Sequence, residues 1–471
     1  HAGRSVYLVI TNPTQSSIAA PSSWGYESVF TSGQDTSAAG MAPAVRDDGI
    51  LMPGLPPATD WNSRPPALAS PDAPTASGLS LSSTDTGTPL NSRDDFWVYE
   101  SKTRSSVLLD ESHDVRLRHK ISAHAVNDNR NSIDINFWVP LEDWSTTADP
   151  TAAGEERKVN LAMLQALGER FADSETNIYD LVTGIFGSEW GAHNKETLIS
   201  PDTREIDILI YDIDRGYTLE GTVLGYFAGW DTLLKSVDPT SNEKLMFYID
   251  SLSLATAGAT RSDDAPNPGQ GSGTWEITDF WPDIIVSTLA HEFQHMIHWY
   301  QKTIVQQNLN PGSQGSQVWL NEMLSMVTED LVASQIGFDG PRGVDSQDGT
   351  AGDPGNTGIT DGRLATYATY WDDSMTGWST NSAIEYGAPY AFGSWLLRNW
   401  GGPDLMYQIL HNPYDGANAV EHAVAQLLPD SGLTFAELLS QWGASIILSS
   451  DSSRVQNDPL VAPTWPYVVN T

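Results

Sequence analysis

His291-Glu292-Phe293-Gln294-His295 is the stretch of this sequence that decides both the fold and the chemistry. Residues four apart on an α-helix lie on the same face, one turn apart, so the two histidines can bind one metal ion together. A carboxylate directly after the first histidine can act on a water molecule beside that ion. The spacing therefore predicts a zinc-binding helix. The alternative is a pair of ordinary histidines on a solvated helix face.

The helix that carries this stretch is predicted at residues 283–303. Its apolar side chains recur at helical spacing and form one stripe that should face the core, namely Ile285, Leu289, Phe293, Met296 and Tyr300. His291 and His295 fall well away from that stripe. We therefore expect a helix that packs on one side and presents its imidazoles to a cleft on the other.

A catalytic zinc site needs three protein ligands and one open position. His298 is a poor third ligand, because three rings on one helix would have to converge on a single point. A metzincin-type site would need glycine at position 298 and histidine at position 301, where the chain has His298 and Gln301. Glu322 lies on a second predicted helix, residues 317–336, that can pack antiparallel to the first. We predict Glu322 as the third ligand, against the alternative of an ordinary exposed glutamate.

The two segments His291–His295 and Trp319–Ser325 (WLNEMLS) resemble the gluzincin zinc metallopeptidases, specifically the hyicolysin-like family. The resemblance covers roughly residues 130–450, and the two metal motifs are its specific part. It implies a zinc endopeptidase of protein or peptide substrates, built as a thermolysin-like unit with a small sheet above a helical lower part.

The resemblance also implies a role for individual residues. His291, His295 and Glu322 would bind zinc, and Glu292 would be the general base. Tyr386 would stabilise the oxyanion, with Tyr390 and His298 as further candidates and a core position for the tyrosines as the alternative. Thermolysin-like gluzincins have an aspartate four residues after the ligand glutamate, where it orients a zinc histidine. This chain has Met326 there, so Glu329 or Asp330 would have to take over that role.

Composition narrows the class of protein. The chain has 471 residues, a formal net charge of −36 and no cysteine, which excludes disulfides and thiolate chemistry. So acidic a surface disfavours nucleic acid as a partner. No apolar run is long enough to span a membrane. The first residue is His1, not methionine, so we expect a secreted protein whose targeting segment has been removed. No pattern predicts an oligomeric state.

Strands precede helices along the chain, which predicts an α+β fold. We expect a β-rich N-terminal domain (1–154) with a long Pro/Ser/Thr/Gly-rich loop (33–94), a catalytic upper subdomain with sheet and metal helix (155–315), and a helical lower subdomain (316–471) that supplies the glutamate ligand. Strands are predicted at 5–11, 96–99, 115–122, 133–139, 206–212 and 244–250. Further helices are predicted at 155–171, 387–399, 404–410, 417–428 and 435–448.

Three functional hypotheses are less specific. The strand at 244–250 is expected either at the sheet edge, where it could pair with an extended substrate, or in the interior. The loop at 339–361 carries aspartates among glycines, including Asp345, Asp348, Asp353 and Asp361. This composition predicts either a Ca²⁺ site or a solvated loop, since the loop lacks the EF-hand spacing. The alternative to an enzyme is a secreted binding protein or adhesin on a peptidase-like scaffold.

Overall fold

The computed structural model of the protein describes residues 87–100, 105–124, 132–147, 154–155, 158–173, 176–213, 223–252, 254–255, 283–310, 316–336, 363, 366–367, 370–371, 374–378, 383–429 and 431–449. Three of the sequence predictions lie outside these residues: the strand at 5–11, most of the loop at 33–94, and the aspartate-rich loop at 339–361. None of the helices described here has an apolar stretch long enough to cross a membrane.

A small mixed sheet is the centre of the fold. Its strands follow the order β3-β4-β5-β7-β6 in the described part of the chain. Their bounds are β3 Arg116–His124, β4 Ser132–Val139, β5 Glu205–Tyr211, β6 Gly225–Phe227 and β7 Met246–Asp250. The central pairs β4–β5 and β5–β7 are parallel, whereas the outer pairs β3–β4 and β6–β7 are antiparallel.

The sheet is buried on both faces. Successive side chains along a strand point to opposite faces of the sheet, so each strand contributes to two cores. On β5, Ile206 and Ile208 join the apolar core shared with the helices, and Leu209 and Tyr211 join a second core on the other face. A hairpin of β1 (Phe96–Glu100) and β2 (Ser105–Leu109) packs into that second core. Burial of both faces explains why the strand reads as an almost continuous apolar run.

Strand pairing crosses the position, between residues 154 and 155, where the sequence predicts a domain boundary. β3 and β4 come before that position, yet β4 is hydrogen-bonded in parallel to β5. A parallel pair needs a crossover connection, and here two helices provide it, α1 (Leu161–Gly168) and α2 (Ile178–Phe186). Residues 116–139 therefore belong structurally to the sheet that was expected to begin after 155.

The pairing also decides the position of the strand predicted at 244–250. β7 lies between β5 and β6, so of the two positions that the sequence left open the strand takes the interior one. The outermost described strand on this side is β6, which the sequence does not predict because it has only 3 residues. Tyr226 and Phe227 of β6 are both buried, and they enter the two different cores.

The helices that follow the sheet confirm the expected α-helical C-terminal part. Their bounds are α3 Asp283–His298, α4 Gln306–Leu309, α5 Val318–Ile336, α6 Ala383–Asn399, α7 Pro403–His411, α8 Gly416–Leu427 and α9 Phe435–Ser449. The helix predicted at 155–171 begins later, at Leu161. Val159 forms a β-bridge with Trp144, and the Asn160 side chain caps the helix by accepting from the Met163 amide.

Candidate metal centre

The metal motif lies on α3, a helix that is buried along its length from Ile285 to His298. The predicted apolar stripe is confirmed: all five of its residues belong to the core shared with the sheet. The opposite face differs from the prediction, because His291 and Glu292 are completely buried and do not line an open cleft. After His298 the backbone continues as a π-helical segment, Trp299–Val305, a form that is frequent at functional sites.

The second helix of the site, α5, runs antiparallel to α3. Contacts show the direction: His291 meets Glu329, whereas His295, one turn later, meets Asn321. The start of α5 is fixed by Asp415, whose Oδ1 accepts a hydrogen bond of 2.7 Å from the Gln317 amide. Antiparallel packing brings the carboxylate of α5 to the imidazoles of α3, as the sequence predicted.

His291, His295 and Glu322 converge, with one donor atom from each lying within 4.8 Å of the others. Glu322 Oε2 is 3.2 Å from His291 Nε2 and 3.5 Å from His295 Nε2. Two ligands of a tetrahedral zinc ion, with bonds of about 2.0–2.2 Å, lie about 3.3–3.6 Å apart. The separations of Glu322 Oε2 from the two imidazole nitrogens are therefore close to those that a zinc ion would require. They are the one such group of acids and histidines in the described part of the chain.

His291 is oriented by a charged partner. Its Nδ1 is 2.6 Å from Glu329 Oε1, and the other oxygen of Glu329 accepts a hydrogen bond of 2.8 Å from Arg363. A carboxylate can only accept, so the ring proton belongs on Nδ1. Nε2 then carries a lone pair directed at Glu322, which is the arrangement that a metal ligand needs.

His295 is oriented by neutral partners. Its Nδ1 lies 3.1 Å from Asn321 Oδ1 and 3.0 Å from Ser325 Oγ. The Ser325 hydroxyl donates to Gln294 Oε1 at 2.6 Å, which leaves its oxygen free to accept. Both acceptors favour the proton on Nδ1, so the second histidine also presents the lone pair of Nε2 to Glu322.

The charges of the cluster fit a divalent cation. Two histidine lone pairs facing a carboxylate oxygen would repel one another unless a cation lies between them. Burial lowers the pKa of His291, but the hydrogen bonds that Glu322 and Glu329 accept from the imidazolium outweigh the effect of burial and raise the pKa to about 9. Burial likewise raises the pKa of Glu322, but His295 and His291 more than reverse this, so its pKa is lowered. The raised pKa means that His291 holds its proton tightly without a metal ion, and a metal ion would have to displace that proton.

Glu292 differs from Glu322 and Glu329 because its carboxylate has no hydrogen-bond partner among the described residues. Both of its carboxylate oxygens are buried, and neither makes a hydrogen bond within the described structure. Burial raises its pKa to about 7; the neighbouring His291 and His295 pull it down, and Glu322 and Glu329 push it up. A carboxylate with a pKa near neutrality, held beside the metal-binding donors, has the properties of a general base.

Gly225 of strand β6 lies against this acid, and no sequence pattern singles this glycine out. A Cβ atom at position 225 would lie 2.7 Å from the Thr288 methyl and 3.2 Å from Glu292 Cγ. It would also lie 2.7 Å from the carbonyl oxygen of Tyr248. Only glycine lets the outer strand approach the metal helix this closely. The end of the sheet is thereby placed beside the candidate base.

The remaining predicted residues lie nearby but outside the donor group. Tyr386 is buried and packs edge-to-face on Trp378, with ring centroids 4.9 Å apart. Tyr390 and Met326 belong to the same apolar cluster as Tyr386. His298 is buried, and neither of its ring nitrogens has a hydrogen-bond partner among the described residues. Burial lowers the pKa of His298 well below the usual value.

Comparison with known proteins agrees with this geometry. Residues 117–264 match the Peptidase M30 family. A neutral metalloprotease of Staphylococcus hyicus, ShpI, is 24% identical over 246 residues, which is 51% of this chain and 46% of the relative. The chain thus spans just under half of that relative's length.

The two matches support a metallopeptidase family for this chain. The family match ends before α3 begins, so it covers the sheet and none of the three converging residues. The metal site is therefore supported by its geometry, independently of the family match.

Proposed function

We propose that this protein is a zinc-dependent endopeptidase. One observation carries the proposal: donor atoms of His291, His295 and Glu322 converge within 4.8 Å of one another. Glu292, the residue after His291, has no hydrogen-bond partner for its carboxylate in the described structure. Three protein ligands leave a fourth position open, as in catalytic zinc sites. The similarity to metallopeptidases supports the same reaction class.

A zinc ion bound here would supply Lewis acidity, which acidifies water and polarises a peptide carbonyl. The chain's own residues do the rest. Glu292 takes a proton from the attacking water and later gives it to the leaving amine. Glu329 and Asn321 hold the two imidazoles in the tautomer that presents Nε2. Burial keeps bulk water from competing with these groups, and it strengthens their electrostatic interactions.

The substrate is proposed to pair with β6, since β7 takes the interior position. β6 is the outermost described strand on its side of the sheet, and Gly225 places it against Glu292. An extended peptide added to that strand would bring a carbonyl group next to the base. Because His291 and Glu292 are fully buried, the residues that cover the site must move before a peptide can enter.

Tyr386 is proposed to donate a hydrogen bond to the oxyanion. Tyr386 lies on α6. Its apolar cluster also contains Tyr226 of β6 and Met326 of α5, the helix that carries Glu322. A phenol donates well to a developing negative charge in such surroundings. The thermolysin-like arrangement and membership of the gluzincins belong to the same proposal, as does secretion from the cell.

The test is metal analysis of the purified protein together with cleavage of a casein-type substrate. We expect one zinc ion per chain, cleavage that a chelator abolishes, and recovery when zinc is added back. A zinc-loaded protein that cleaves no protein or peptide would contradict the proposal and favour the alternative of a binding protein or adhesin. Release of fragments from within the substrate, seen by mass spectrometry, distinguishes an endopeptidase from an exopeptidase.

A further inference from the structure

We propose that Arg363 is a positioning residue for the metal site and acts on His291 through Glu329. This inference rests on the proposed zinc site. Nothing in the sequence around Arg363 indicates such a role, because the residue follows a long Gly/Asp-rich segment and has no helical pattern of its own.

The geometry places Glu329 between an arginine and a metal-binding imidazole. Glu329 Oε2 accepts from Arg363 Nη1 at 2.8 Å, and Oε1 accepts from His291 Nδ1 at 2.6 Å. Glu329 is fully buried and Arg363 is 4% exposed, so water does not screen either contact. Each oxygen of the carboxylate is thus committed to one partner, and the plane of the carboxylate sets the plane of the imidazole.

An arginine suits this task because its guanidinium is planar, permanently charged and weakly hydrated. The guanidinium adds a positive charge to a site that already holds the acids Glu292 and Glu322. The guanidinium carbon of Arg363 also lies 5.8 Å from the ring centroid of Tyr390, which limits its freedom to move. We infer that removal of the charge and of its hydrogen bond loosens His291.

The neighbouring residue provides a matched comparison. Asp330 is also buried on α5, and its Oδ2 accepts a hydrogen bond of 2.6 Å from Arg398 of α6. This ion pair joins two helices. Glu329 is seven residues from Glu322, so the two share a face of the helix; Asp330 is eight residues away and is rotated by about 80°. The two arginines make the same kind of bond, but the acid bound by Arg363 is the one that contacts a candidate metal ligand.

The experiment measures zinc affinity of the full chain by competition with a chromophoric chelator. It compares wild type with Arg363→Met, Arg363→Lys and Arg398→Met. Loss of an outer partner of a metal ligand typically weakens affinity about 10–100-fold, and we expect that range for R363M, with partial recovery in R363K. R398M should bind zinc within about twofold of wild type. Cobalt-loaded R363M should also show an altered visible absorption spectrum, which a purely structural role would leave unchanged.

Two results would overturn the inference: wild-type affinity in R363M, or an equal loss in R363M and R398M. If circular dichroism shows that R363M does not fold, R363K against Arg398→Lys decides in the same way. Failure of the proposed zinc site looks different, because the wild-type protein itself would then bind no zinc, and the role of Arg363 would fall with it. A wild-type protein that binds zinc but cleaves no peptide would contradict the proposed activity and leave the role of Arg363 to be decided by the affinities.

Discussion

The sheet separates two buried polar clusters that differ in how fully their groups are paired. On the hairpin side, the carboxylate of Asp231 accepts from the Tyr248 hydroxyl at 2.6 Å and from the Asn242 side chain at 2.9 Å. Asn242 in turn bonds both the amide and the carbonyl of Trp97 on β1. On the helix side, Glu292 is equally buried, yet neither of its oxygens has a hydrogen-bond partner in the described structure.

The difference indicates what each cluster is for. Buried polar groups in native proteins are normally paired, so each exception calls for an explanation. The Asp231 cluster is complete and fixes the hairpin to the sheet. In the other cluster, the buried carboxylate of Glu292 has no hydrogen-bond partner in the described structure, which costs free energy of folding. We infer that the first cluster stabilises the fold and the second is organised for a ligand.

The largest effect that separates the clusters is expected from removal of each charge. Glu292→Gln should lower the rate of peptide cleavage by about 10²–10⁴-fold, the contribution of a positioned general base. Its zinc content should stay at the wild-type value, since Glu292 is outside the converging donor group. Asp231→Asn is the control, and its cleavage rate should stay within about twofold of wild type. Equal losses in both variants, measured with one peptide substrate, would refute the distinction.

A second effect is that Glu292→Gln should make the metal-free protein more stable than the wild type. Burial raises the pKa of Glu292 from its ordinary value of 4.5 to about 7. The folded state therefore binds the proton more tightly than the unfolded state, and stability is lost as pH rises from about 4.5 through 7. The difference corresponds to about 3 kcal/mol above pH 7. Metal-free Glu292→Gln should be more stable than wild type by up to about that amount at pH 8.

The pH dependence contains its own control. At pH 4 the side chain of Glu292 is protonated in both states, so the advantage of Glu292→Gln should vanish there. Bound zinc should also reduce the advantage, because a nearby cation favours the ionised carboxylate. Urea unfolding at pH 4 and pH 8, with and without zinc, measures all four cases. A variant that is less stable than wild type at pH 8 would show that Glu292 is a structural acid.

Substitution in the Asp231 cluster should instead lower the stability of the protein. Asp231→Ala removes the carboxylate that accepts from the Tyr248 hydroxyl and the Asn242 side chain, which should cost about 1–3 kcal/mol of unfolding free energy. Zinc affinity should be unchanged, because the cluster lies on the other face of the sheet. Urea unfolding and chelator competition on the same sample check both statements. A clear loss of zinc affinity would mean that the hairpin face and the metal face are coupled.

The sequence predicted the parts of the site that depend on helical spacing. His291, Glu292 and His295 are read from one turn of α3, and Glu322 from its neighbours on α5. The structure brings the donor atoms of His291, His295 and Glu322 together, and Glu292 is buried beside His291 on the same helix. Helical geometry also distinguishes Glu329 from the adjacent Asp330, since seven residues is close to two turns. The spacing alone would have favoured Glu329 as the partner of His291.

The parts that the sequence missed depend on contacts between distant segments. Arg363 reaches Glu329 across 34 positions, and no local pattern marks it. Gly225 matters because a strand of 3 residues comes against α3, and so short a strand leaves no readable alternation. The boundary expected at 154/155 followed a change in composition, but strand pairing across that position is a tertiary property.

The smallest expected effect lies within the metal cluster itself, where His295 has two acceptors. Ser325→Ala removes one of them and also the donor to Gln294, but Asn321 Oδ1 remains 3.1 Å from the ring. The tautomer of His295 should therefore persist, and zinc affinity should fall less than tenfold, with a stability cost of about 0.5–1.5 kcal/mol. The double variant Asn321→Ala/Ser325→Ala leaves neither acceptor and should reach the 10–100-fold range, more than the two single effects combined, as expected for residues that share a partner. If Ser325→Ala alone produced the full loss, the hydroxyl would be the true support of His295, and Asn321 would be a bystander.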